Sequence, residues 1–104
     1  MDFERSYSFS DDEALARMRA LADYWDKRHG IKMTWNGGTA DVAGKVKGVK
    51  FSGTIRIGGG RIVADIKAGF LAEKLGGKKY VAGKVDDYMD PSKTVEELQA
   101  LVPS

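Results

Sequence analysis

Residues 49–68 read VKFSGTIRIGGGRIVADIKA, and their alternation decides the fold. Val49, Phe51, Gly53, Ile55 and Ile57 take one side while Lys50, Ser52, Thr54 and Arg56 take the other, the two-residue period of a strand with one buried face. Gly58-Gly59-Gly60 turns the chain, after which Ile62, Ala64, Ile66 and Ala68 alternate with Arg61, Val63, Asp65 and Lys67. A hairpin that is apolar on one face only needs a covering layer on that face and water on the other.

The same pattern extends backwards. Ala40, Val42, Gly44 and Val46 point inward against Asp41, Lys45 and Lys47, with a turn near Lys47-Gly48. Before them, Ile31, Met33 and Trp35 oppose Lys32 and Thr34, and Asn36-Gly37-Gly38 is a turn able to take positive φ. At the start of the chain Phe3, Arg5, Tyr7 and Phe9 alternate with Asp2, Glu4, Ser6 and Ser8, which predicts a further strand. The covering layer lies between. Ser10 and Glu13 form an S-x-x-E capping box, with Glu13 expected to reach back to the cap, and Ala14, Leu15, Met18, Leu21, Ala22 and Trp25 recur at three- and four-residue steps. Lys27, Arg28 and His29 fill the last turn and Gly30 supplies the stop.

Helical period returns after Gly69, with Phe70, Leu71 and Leu75 as an entry turn. Val81, Val85, Tyr88 and Met89 then make the stripe, with Lys84, Asp86 and Asp87 opposite, and Asp90-Pro91 ends the helix. Thr94 and Glu97 repeat the capping box before Val95, Leu98, Leu101 and Val102, a short amphipathic helix that must dock to be stable. Docking on its own domain is the default; a second copy of the chain, giving a homodimer, and an apolar surface are the alternatives. The expected architecture is therefore a two-layer α+β domain: a five-stranded antiparallel sheet with helices on one face, in the order β-α-β-β-β-β-α, over residues 1–90. A tail carrying the short helix occupies residues 91–104. This element order is similar to that of the TATA-binding-protein-like fold.

Composition bounds the function. With 104 residues there is room for one domain, and 42% hydrophobic and 31% charged residues describe an ordinary globular chain. The 0 cysteines leave no thiol chemistry or disulfide. No apolar run is long enough to span a membrane and the first residues lack a signal-peptide pattern, so the reading places the chain in a bacterial cytoplasm. Net charge is only +2, but residues 31–84 hold 11 Lys/Arg against 3 acids, which makes the middle of the chain basic.

Those bases suggest a nucleic-acid or regulatory surface on the outer sheet face, built from Lys32, Lys45, Lys47, Lys50, Arg56, Arg61 and Lys67. Against it, Trp35, Phe51, Tyr7 and Phe9 fall on the inner face by period, leaving no rings on which bases could stack; a solvated face is the simpler reading. The inner face carries a band of small residues, Ala40, Gly44, Gly53, Ala64 and Ala68, which either admits a close-packed helix or leaves room for an acyl-sized apolar ligand. In the second case Trp35, Gly44, Phe51, Gly53, Ala64 and Val81 line the site. No catalytic constellation stands out, and the chain is read as a non-enzyme without cofactor or metal. His29 is expected to be a surface cap, Asp11-Asp12 and Asp86-Asp87 solvated helix charges, and Gly58-Gly59-Gly60 a plain turn.

The chain resembles the small polyhydroxyalkanoic acid system proteins, the polyhydroxyalkanoate granule-region family. The likeness runs through Ser10-Asp11-Asp12-Glu13-Ala14 and Arg17, Gly30-Ile31 with Trp35 and Gly37, Gly48-Val49-Lys50, Gly53-Thr54-Ile55, Val63-Ala64-Asp65-Ile66 and Gly69-Phe70-Leu71. Tyr7 stands about where the family often has a histidine. The resemblance implies a non-enzymatic accessory of polyester storage that binds the granule surface, a granule protein or an acyl-type ligand, and it transfers no catalytic residue.

Overall fold

The computed structural model describes residues 1–46, 48–69 and 76–103. In chain order the elements are β1 (Asp2–Ser6), α1 (Asp11–His29), β2 (Lys32–Asn36), β3 (Thr39–Val46), β4 (Val49–Gly58), β5 (Arg61–Ala68), α2 (Gly77–Tyr88) and α3 (Val95–Gln99). The expected α+β order is present. Lys47 and the expected entry turn at Phe70, Leu71 and Leu75 lie outside the described residues. β2 to β5 run as an antiparallel meander, and β1 returns to pair with β5, giving the order β1-β5-β4-β3-β2. β1 stops at Ser6, short of the predicted Phe9; Tyr7 and Phe9 leave the strand but stack on each other, centroids 6.1 Å apart, and pack against the core.

Register explains the small-residue band. Phe3, Ala64, Ile55, Ala40 and Trp35 stand opposite one another across all five strands, alternating large and small on the inner face. Ala14, Met18, Leu21 and Trp25 of α1 pack onto this relief, all buried. Two glycines of the band are closed to anything larger. A methyl on Gly53 would lie 2.1 Å from the Asp65 carbonyl oxygen, and one on Gly44 would lie 2.9 Å from Ile31 Cα. The band is a packing device: β5 presses on Gly53 and Ile31 fills the space above Gly44.

Both ends of α1 are fixed, the first by side chains and the last by backbone. Ser10 Oγ accepts from the Glu13 N–H at 3.1 Å, half of the expected box, but the Glu13 carboxylate turns instead to Arg17, whose Nε donates to Oε2 at 2.9 Å. Asp11 is more than the solvated charge expected of it. It accepts from the Tyr7 hydroxyl at 2.5 Å and from the Gly59 and Gly60 amides at 3.1 Å each, clamping the β4–β5 turn to the start of the helix. At the other end Gly30, at φ 71°, takes the left-handed conformation that stops α1.

Arg17 joins the layers. It is 3% exposed; its Nη1 donates to the Tyr88 and Asp90 carbonyls at 3.0 Å each and its Nη2 to that of Lys93 at 2.5 Å. The guanidinium also lies 4.3 Å from the Phe9 ring centroid. α2 has no basic residue in its last turn, so Arg17 supplies from α1 the positive charge that the carbonyl end of α2 attracts. Beyond that knot Thr94 and Glu97 close a complete capping box, and Leu98 of α3 is fully buried in its own chain against the core. Leu101 stays outside, 54% exposed.

Truncating Arg17 to Ala strands buried carbonyls and should cost about 3 kcal/mol or more, lowering the melting temperature by roughly 12 °C. Arg17→Lys should recover only part, because one ammonium cannot span the same acceptors; full recovery in urea melts would show that charge alone matters. Gly53→Ala should destabilise by about 3 kcal/mol through its backbone clash. The Tyr7 phenol is pushed up to about 12, first by burial and then by the Asp11 carboxylate. Its contribution to stability is therefore complete below the ordinary tyrosine range and is lost as pH rises through 12; with Tyr88, which burial also pushes up, two of the 4 tyrosines should ionise late in an ultraviolet titration. The Tyr7 hydrogen bond and the two amides hold the Asp11 carboxyl low, so its contribution persists above the carboxylate range and disappears as pH falls below it. An acid melt of Asp11→Ala should converge with that of the parent protein there.

Candidate functional site: an apolar cleft with a cationic mouth

α1 and α2 run antiparallel over the sheet and are pinned together where Arg17 meets the end of α2. Toward their opposite ends a cleft of about 510 Å³ opens between them, within the range of about 300–1,000 Å³ common for small-molecule sites. Tyr24 and Trp25 of the last turns of α1, followed by Ile31, form one wall. Val42 and Val46 of β3, Phe51 of β4 and Ile66 of β5 make the floor. Gly77, Tyr80 and Val81 of α2 make the second wall. These residues converge because the helical stripe of each helix faces the sheet, while Val46 and Phe51 sit at the β3–β4 hairpin end.

The polar groups gather at the mouth. Arg28 is exposed, and Lys84 is half-buried with its ammonium 4.5 Å from the Tyr24 ring centroid, so it belongs to the cleft and not to the outward face of α2. Neither forms an ion pair among the described residues. His29, expected as a surface cap, is half-buried at the mouth; its Nε2 is 3.3 Å from the Tyr80 hydroxyl, linking the end of α1 to the start of α2. No Asp, Glu, Ser or Cys lines the cleft among the described residues. One polar atom in its wall is orphaned: the Trp25 indole N–H is buried and has no hydrogen-bond partner.

Of the residues proposed from sequence for an apolar ligand, the structure brings Phe51 and Val81 into the cleft. Trp35 lies elsewhere on the inner face with the Arg19 guanidinium 5.5 Å from its ring centroid, Ala64 is core, and Gly44 and Gly53 are filled by their neighbours. Sequence reasoning missed Tyr24, Arg28, Tyr80 and Lys84. A signal existed: each helix carries an aromatic and a cation four residues apart, Tyr24 with Arg28 and Tyr80 with Lys84, facing the same way.

The basic outer face is a patchwork. Asp2, Asp65, Thr54, Asp41 and Thr34 stand in one register row, an acidic belt across the sheet. Lys32, Lys67, Lys45 and Lys50 lie on the hairpin side of the belt, the last two directly opposite each other, and Arg56 and Arg61 lie on the far side. Lys32 is drawn to Asp26 and Arg61 to Glu4. A polyanion backbone laid along this face would cross that belt, which weakens the nucleic-acid reading.

Among the described residues, no group of three His, Cys, Asp or Glu is placed to hold a metal ion and no helix is long and apolar enough to cross a membrane. The sequence profile of one family, described as polyhydroxyalkanoic acid system proteins, matches residues 1–92. No curated protein and no solved structure matches the chain.

Proposed function

The chain belongs to the polyhydroxyalkanoic acid system protein family, and from that premise we propose that it is a non-enzymatic accessory of polyhydroxyalkanoate storage that takes an acyl-type apolar chain in the cleft between α1 and α2. The observation that carries this reading is the cleft itself: aromatic and branched walls, no Asp, Glu, Ser or Cys in its described lining, and a volume suited to a small ligand. An accessory that holds an acyl chain needs apolar surface of this kind. Acting in the cytoplasm, at the granule surface or on a granule protein, it would meet such chains as polymer segments or as their building units.

Co-sedimentation with isolated polyhydroxyalkanoate granules at low and high salt tests the proposal. Binding through apolar surface should survive or strengthen with salt, whereas binding through lysines should collapse. Val46→Asp puts a carboxylate on the half-buried floor of the cleft and should reduce the bound fraction about tenfold with the melting curve little changed. Binding lost at high salt, or unchanged in the folded variant, would remove the cleft from the function.

A further inference from the structure

Resting on the reading of the cleft as an acyl site, we propose that it selects the carboxylate form of its ligand, a hydroxyalkanoate whose anionic head sits between Arg28 and Lys84 while its chain lies against Trp25, Phe51 and Val81. Several features of the site point the same way. Arg28 and Lys84 bring positive charge from two different helices to one mouth, without an ion-pair partner among the described residues. The half-buried Lys84 ammonium, part of whose hydration is replaced by the Tyr24 ring, gains from an anion that restores it.

The backbone adds to this. α2 begins at Gly77 in the cleft wall with neither a side-chain cap nor an acidic residue in its first turn, so among the described residues no negative group offsets the positive end of its dipole. On the opposite wall the Trp25 N–H is a buried donor in want of an acceptor. A plain hydrocarbon chain leaves it unpaired; a hydroxyl oxygen on the chain near the head pairs it, which favours a hydroxyalkanoate over an alkanoate. Lys45, Lys50 and Lys67, on the other face of the same end of the sheet, raise the local potential further without touching the ligand.

Titration calorimetry of the whole chain at pH 7 with octanoate, 3-hydroxyoctanoate and methyl octanoate tests the proposal. The carboxylate should bind about tenfold tighter than the methyl ester, the worth of a charge-assisted hydrogen bond, and the hydroxy acid tighter still. Lys84→Ala and Arg28→Ala, both away from the closed core, should each erase most of the carboxylate preference, lowering the affinity for the carboxylate far more than that for the ester. Trp25→Phe, if folded, should erase only the preference for the hydroxyl. Equal or tighter binding of the ester overturns the head-group assignment while the acyl reading stands; binding of none of the three overturns the acyl reading itself. The same hydroxy acid added to granule-bound protein separates the two sources of such a head. Release assigns it to chain ends of the polymer, and retention to the free acid.

Discussion

A guanidinium taken out of water has to be met by acceptors on every side, and in this protein a single arginine is met by the main chain of a different part of the molecule. Arg17 sits in the first half of α1, yet three of its acceptors are carbonyls at and beyond the end of α2. Moving a charge of this kind into the interior is expensive unless all its donors are used. Here Glu13 takes the Nε donor, so that most of the N–H groups are engaged, and Phe9 covers one face of the group. The segment after α2 is thereby wound around a fixed point, and α3 is delivered to the position in which Leu98 becomes buried.

That pin also sets where empty space can exist. At the end of the helix pair near Arg17 the layers are drawn together, and Met18, Leu21, Val85 and Tyr88 are all but inaccessible. At the other end the contacts between the helices are those of large rings, His29 edge-on to Tyr80 with centroids 6.3 Å apart. Rings hold two helices at a distance that smaller side chains would close. The cleft follows from this difference between the ends, and its charge follows from the helix termini: the basic last turn of α1 beside the uncapped first turn of α2.

Much of this was legible in the sequence because it depends on period. Alternation from Val49 to Ala68 placed every residue of that hairpin on its correct face, and the stripe from Ala14 to Trp25 identified the cover. The capping signal at Ser10 and Glu13 was half right, since a carboxylate three residues into a helix is equally able to reach an arginine four residues on. Arg17 itself was illegible: its acceptors are backbone carbonyls, which carry no letter, and they lie 71, 73 and 76 residues away. Asp11 was misread for the same reason, two of its three partners being amides of a glycine turn. The cleft was found only in part because Phe51 and Val81 read alike whether they face a helix or a void. The glycines that suggested room, Gly44 and Gly53, mark the places where the backbone and Ile31 leave none.

The distance in sequence between Arg17 and its acceptors has a consequence for how the chain is made. As the polypeptide leaves the ribosome, α1 emerges early with a charge in the middle of its apolar side. Glu13 emerges with it, but the carbonyls that take its other donors, ending with that of Lys93, follow only after α2 has been synthesised. β1 waits as well, since its pairing strand β5 begins at Arg61. An incomplete chain therefore has neither its first strand in the sheet nor its arginine satisfied, and the penalty for closing the core early keeps the nascent domain open. Folding waits until the residues just after α2 have emerged, when β1 and the acceptors of Arg17 are both available to lock the sheet and its helices in one step.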